Sequence, residues 1–395
     1  MTFTRISGVT LVPGGGRPML ADASIDLDVD GVVVAIDGTE TESAPSAGTR
    51  ILVPAAVDSH LDNVTERRRP RATVQLPQDS VIAALDAECA GAGIGTVCIS
   101  ARCEDAPGKG VHVEDAVELA HVLERTAPHL ACDWRIHARV EVTDDTAIDA
   151  LKGVLAASTR VAVISIMEHS IERSRFANAQ EHREFYAADW GVSLDEVDAL
   201  LATKKEGAGE RDRRRAEVAQ IAREAGVVLA SHDDRDVADI DSGHALGARI
   251  AEFPLSIDAA RHARELGMIT VLGAPNAVRG RSTSSSNVLV ADAVRADVVD
   301  TLCCDYLPSA LQGAPLALAA EGVLPLSEAV DLVSTNPARA LGLTSPEIVI
   351  GQRLTAALGR AEGTTFIGEG LWRDGRVVFA RNLASVIDTS VPEAV

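Results

Sequence analysis

The feature that most constrains this 395-residue chain is where its potential metal ligands fall. Five short words carry them: Val57-Asp58-Ser59-His60-Leu61-Asp62-Asn63, Arg139-Val140-Glu141, Met167-Glu168-His169, Leu229-Ala230-Ser231-His232-Asp233-Asp234 and Cys303-Cys304-Asp305-Tyr306. Each follows an apolar, β-branched run and precedes a polar stretch, so each places its ligands at the C-terminal end of a strand. In a parallel barrel those ends converge on one mouth, where reactive groups belong. Histidines and carboxylates meeting there describe a site for one or two divalent cations. The pattern predicts a metal-dependent hydrolase.

From 51 to 343, strand-like runs alternate with helical patterns, as βα units require. The strand candidates are 51–58, 95–100, 135–141, 161–167, 227–232, 248–253, 268–273 and 300–305. Between them, helices at 79–90 and 211–225 are expected to close on Gly91 and Gly226. Eight strands with helices between them predict a distorted (β/α)8, or TIM, barrel. On this count His169 and His232 end the fourth and fifth strands. Residues 1–50 and 344–395 read as short strands and turns, with strands at 9–13, 23–29 and 31–36 and a hairpin around Asp374-Gly375. The two ends are expected to build one small β-domain. The connection from His169 to about residue 226 is abnormally long. With a capping box at Ser193-Leu194-Asp195-Glu196 before a helix through Leu201, residues 170–226 read as a lid or substrate loop.

The net charge of -21 argues against nucleic acid or an anionic membrane as partner. No run of about 18 apolar residues could span a bilayer, and the first residues do not form a signal peptide. Six cysteines without CxxC spacing read as reduced thiols of a cytoplasmic protein, with neighbouring Cys303 and Cys304 packed on opposite faces of a strand. A homo-oligomer is compatible with all of this.

His60 and Asp62 stand two apart, on one face of a strand, which lets both grip one ion. Glu141 is placed to bridge two cations. His137 shares its face but lies deeper, and reads as a core histidine. His169 and His232 add imidazoles, and Asp233 or Asp234 could orient the ring of His232. Asp305, ending the last strand, could both ligate a metal and accept a proton from bound water. Zinc suits this mixture best, with manganese or iron as alternatives. Asn63 is followed by Glu66-Arg67-Arg68-Arg69-Pro70-Arg71, and a later loop carries Asn276, Arg279 and Arg281. Two basic loops at one mouth favour a small phosphorylated substrate, with Asn63, Arg67, Arg69, Arg71, Asn276 and Arg279 as its expected contacts.

The five words in this order resemble the amidohydrolase superfamily. Longer stretches resemble its phosphonate-metabolism branch, which releases diphosphate from α-D-ribose 1-methylphosphonate 5-triphosphate: Val57 to Asn63, Leu229 to Asp234, Ala251-Glu252-Phe253-Pro254, Gly273-Ala274-Pro275-Asn276 with Val278-Arg279-Gly280, Cys304-Asp305-Tyr306, and Asn336 to Leu343. The resemblance implies two metals held by His60, Asp62, Glu141, His169, His232 and Asp305, and attack of water on the α-phosphorus. The superfamily usually carries the two later histidines on its fifth and sixth strands. The chain departs from the branch at Arg281-Ser282-Thr283-Ser284-Ser285-Ser286-Asn287, which lacks a Gly-Ser-His-Ser-Gly-Asn loop. It departs also at Ser170-Ile171-Glu172-Arg173, in place of Thr-Pro-Gly-Gln, and at Gln352-Arg353-Leu354-Thr355-Ala356-Ala357 in the tail. The rival expectation is therefore a C–N bond hydrolase with a drifted pocket, opening a cyclic amide or deaminating a base. A protein that binds without turnover is a third reading, which intact ligand words disfavour.

Overall fold

The computed structural model describes residues 2–71, 73–106, 110–169, 176, 178–282 and 287–392. The chain begins with three antiparallel strands, β1 (Thr2–Leu11), β2 (Met19–Leu27) and β3 (Val33–Thr41), followed by β4 (Arg50–Pro54). Eight parallel strands come next: β5 (Ala56–Leu61), β6 (Ile94–Cys103), β7 (Asp133–Glu141), β8 (Val161–Met167), β9 (Val228–His232), β10 (Ile250–Glu252), β11 (Ile269–Gly273) and β12 (Thr301–Cys303). The tail adds β13 (Ala356–Glu362), β14 (Thr365–Arg373), β15 (Arg376–Ala380) and β16 (Ile387–Pro392).

Strands β5 to β12 pair in chain order, and the ring closes through a parallel bridge between Leu61 and Asp305. At that seam Asp305 N donates to the His60 carbonyl over 2.9 Å, and Asp62 N to the Asp305 carbonyl over 2.6 Å. Two of the expected ligand words therefore close the barrel. His169 and His232 do follow the fourth and fifth strands, and the sixth ends on Glu252.

The expected first strand, 51–58, is two strands. Pro54 and Ala55 break it, so that β4 joins the terminal sheet beside β1 and β13 while β5 opens the barrel. Strands from both termini share that sheet, with β16 paired to β1 and β13 to β4. The hairpin turn falls at Asp374 and Gly375, whose φ of 51° and 80° are those of a primed turn. Helix Arg211–Ala225 ends on left-handed Gly226, as expected. Helix Gln78–Gly91 includes Gly91, and the left-handed position falls two residues later at Gly93.

Strand alternation sorts the residues into layers. Val163, Ala230, Ile250, Val271 and Cys303, one from each of five adjacent strands, form a buried apolar cluster. Two residues further along β9 and β10 stand His232 and Glu252, on the same face and nearer the mouth. Cys304 packs instead in the large core shared with the surrounding helices, opposite to Cys303. All six cysteines are buried and free.

The long connection after β8 holds helices Ala179–Trp190 and Leu194–Gly207, then the barrel helix Arg211–Ala225. The Ser193 capping box forms, with Glu196 N reaching Ser193 Oγ and Ser193 N reaching Glu196 Oε2 over 2.9 Å. The helix it starts runs beyond Leu201 to Gly207. Tyr186, Val197 and Leu201 give these two helices a small core of their own, separate from the barrel. Residues 170–175, where the chain departs from Thr-Pro-Gly-Gln, lie outside the described residues, as does the stretch Thr283–Ser286.

Candidate metal centre

At the mouth a cavity of about 290 Å³ is lined by His60, Asp62, His169, His232, Asp233 and Asp305 on one side. Its size suits a small molecule rather than a polymer. The His60 and His232 ring centroids lie 6.1 Å apart, as do those of His169 and His232. Phe253 wedges against His60 and His232 with centroid separations of 5.3 and 5.4 Å. Three residues just past strand ends, Asp233, Phe253 and Asp305, hold left-handed backbone, with φ of 54°, 52° and 57°. Such strain in a β-carbon residue concentrates where a site fixes side-chain direction.

Each expected ligand has a definite environment. His60 is 1% exposed, and burial, with Arg139 and His232 nearby, holds its pKa well below the ordinary value, so the ring is neutral and able to ligate. His169 Nδ1 lies 2.8 Å from Glu141 Oε2, which fixes the direction of the ring. Glu141 is fully buried behind it and also accepts from Thr143 Oγ1 over 2.5 Å and from His169 N over 3.1 Å. It does not line the cavity, so in this arrangement it holds His169. Asp62 is paired with Arg139. His232 Nδ1 lies 3.5 Å from Asp233 Oδ2, and its buried Nε2 has no hydrogen-bond partner among the described residues. Asp234 turns away, accepting from Ser231 Oγ over 2.5 Å. The Asp305 carboxylate lies over Gly273, where an added Cβ would stand 3.5 Å from Oδ2.

These residues fit a divalent cation. Donor atoms of His169, His232 and Asp233 lie within 4.8 Å of one another, and the orphaned Nε2 of His232 calls for a partner. A second set, His60, His137 and Glu252, is equally close and wholly buried. His137 and Glu252 stood outside the expected site. A buried histidine in mid-strand carries no signal of its own, whereas Glu252 ends a strand just as the five words do.

The expected substrate contacts divide. Asn276 and Arg279 line the cavity, with Arg279 Nη1 3.1 Å from the Tyr306 hydroxyl. Arg67, Arg69 and Arg71 do not line it. Residues Val64–Arg68 form a short helix whose last turn buries Arg68, and Arg67 pairs with Glu88 over 2.8 Å. Asn63 donates to the Tyr306 carbonyl over 3.2 Å, tying two strand exits together outside the cavity. The arginines that line it are instead Arg102, which pairs with Glu104, Arg139, which pairs with Asp62, and Arg279 and Arg281, joined by Phe185 and Tyr186 from the insertion.

No family model matches the chain. It is 30% identical over 338 residues to the α-D-ribose 1-methylphosphonate 5-triphosphate diphosphatase of Escherichia coli (strain K12), covering 83% of this chain and 88% of that protein. Among solved structures it resembles the N-acetyl-D-glucosamine-6-phosphate deacetylase of Mycobacterium smegmatis, with a TM-score of 0.61 at 17% identity, covering 95% of this chain and 99% of that one. A D-hydantoinase from Bacillus sp. AR9 aligns with a TM-score of 0.57 at 12% identity over 96% of each chain. At such identities these structures speak for the fold alone. No helix among the described residues is long and apolar enough to cross a membrane. The chain belongs to the family of that diphosphatase, and its fold is that of the deacetylase and the hydantoinase.

Proposed function

We propose that this protein hydrolyses a phosphoric anhydride, cutting α-D-ribose 1-methylphosphonate 5-triphosphate into the 5-phosphate and diphosphate. The observation that carries the reading is a pair of uncommitted guanidinium groups. Arg279 and Arg281 line the same cavity as the histidines and carboxylates, and neither has a carboxylate partner among the described residues. In a chain with 58 acidic and 37 basic residues, arginines left unpaired beside a metal-ligand set fit a polyanionic ligand. The 30% identical diphosphatase supports the same substrate.

His60, Asp62, His169, His232 and Asp305 would hold one or two divalent ions, zinc first among them, with Glu141 setting the ring of His169. When bound, the ions supply a water acidic enough to be hydroxide near neutral pH. Asp305, on the seam of the barrel, would take the proton from the water that attacks the α-phosphorus. Arg279, steadied by Tyr306, and Arg281 hold the outer phosphates and stabilise the departing diphosphate. The insertion helices, which bring Phe185 and Tyr186 to the cavity, act as a lid that excludes bulk water.

Incubation with the ribose triphosphate and with a panel of cyclic amides and amino-bases separates the readings. Diphosphate should appear, without ammonia or ring opening. Turnover of a cyclic amide or base with no diphosphate would replace this proposal with the C–N hydrolase.

A further inference from the structure

We propose that Glu252 is a positioning residue of the metal centre: it holds the His60 ring through Nδ1 and supplies the buried negative charge that offsets a cation bound at the mouth. The inference rests on the metal centre of the proposed function and is independent of its substrate.

Glu252 ends the sixth barrel strand, level with His232 in the β9–β10 register, and is 1% exposed. Its Oε1 lies 3.3 Å from His60 Nδ1, and its Oε2 lies 3.4 Å from His137 Nε2. His137 has little to give. Its Nδ1 is 3.1 Å from the Ser59 carbonyl, which can only accept, so that nitrogen carries the proton. The bare Nε2 then accepts from Ser165 Oγ over 2.9 Å. Among the described residues Glu252 Oε2 is accordingly left without a hydrogen-bond partner, and no arginine or lysine pairs with this carboxylate. Beneath it Asp58, 0% exposed, accepts from Cys304 N over 2.8 Å and His60 N over 3.1 Å, while its Oδ2 is also orphaned.

Two buried carboxylates around neutral imidazoles are costly in a protein interior unless positive charge is near. A cation on the far nitrogen of His60 provides it. Donation of Nδ1–H to Glu252 fixes the tautomer in which Nε2 is bare, and a carboxylate behind a ligating imidazole raises its basicity. Nothing of this is visible in the spacing of the five words, because Glu252 acts through His60.

The test compares wild type with Glu252→Gln. Zinc affinity, read by competition with a chromophoric chelator, should fall about 10–100-fold in the variant. In excess chelator the variant should melt no lower than wild type, since it has lost an uncompensated buried charge. In zinc-loaded wild type, ¹⁵N-histidine NMR should show His60 as the Nδ1–H tautomer, a measurement that needs no variant. Unchanged zinc affinity, an equal drop in melting temperature with and without zinc, or an Nε2–H tautomer at His60 would overturn the inference while leaving the metal centre standing. Wild-type protein that binds no divalent ion would overturn both.

Discussion

The arginine-bearing segments that follow β5 and β11 both reach the cavity, the first through Glu66, but only the second brings its arginines there. The first follows β5: Arg67 pairs with Glu88, and the 10%-exposed side chain of Arg68 pairs with Asp115 at 2.5 Å and Glu118 at 3.3 Å. Arg69 lies over Gly110, whose added Cβ would collide with its guanidinium. The second follows β11 and presents Arg279 and Arg281 to the cavity. The difference lies in what surrounds each segment. Helices Gln78–Gly91 and Val113–Thr126 bring Glu88, Asp115 and Glu118 to the first, which neutralises it as a structural clamp. Among the described residues no carboxylate pairs with Arg279 or Arg281 of the second. A basic run stays open to an anion only where the fold withholds its counter-charges.

The comparison assumes chemistry opposite the second segment, so its largest test falls on Asp305. Asp305→Asn should keep metal content nearly unchanged, by elemental analysis, and lose about two or more decades in kcat. Near-normal turnover with metal bound would remove Asp305 as the base. Next in size is the second segment itself. Arg279→Ala with Arg281→Ala should raise KM for the triphosphate by about 10–100-fold, the scale of one or two charge-assisted hydrogen bonds. The loss should be larger at low ionic strength, because salt already screens the wild-type attraction. A KM indifferent to both substitution and salt would make the two segments equivalent after all.

The first segment should respond in stability rather than in binding. Arg68→Ala breaks a largely buried pair and should cost about 2 kcal/mol, between the values for exposed and fully buried ion pairs, with KM preserved. Chemical denaturation with steady-state kinetics reads both. The smallest effect is expected at Arg67, whose pair with Glu88 is 44% and 33% exposed. Arg67→Ala should change neither KM nor, beyond about 0.5 kcal/mol, stability. A raised KM there would restore the expectation from sequence that this run contacts substrate.

That expectation shows where the sequence stopped being legible. Strand ends could be read because β-branched runs stop sharply before polar words, and this fixed the barrel and the convergence of His60, Asp62, His169, His232 and Asp305. Side-chain partners could not be read. The carboxylates that claim Arg67 and Arg68 come from residues 88, 115 and 118, across helices whose facing surfaces no local pattern specifies. Glu141 has the spacing of a ligand, yet its oxygens are turned to His169 and Thr143. Arg102 and Arg139 sit inside strands, and only closure of the barrel brings them to the cavity. The split of residues 51–58 between two sheets turns on Pro54 and Ala55, too short a break to stand out in an apolar run.

The central claim is that water attacks the α-phosphorus of a triphosphate held between the metal ligands and Arg279 with Arg281. Hydrolysis of the ribose triphosphate in H₂¹⁸O, analysed by mass spectrometry of both products, tests it most directly. The account predicts one ¹⁸O in the ribose 5-phosphate product and none in the diphosphate. Label in the diphosphate, or no cleavage of the triphosphate by metal-loaded protein, would contradict it.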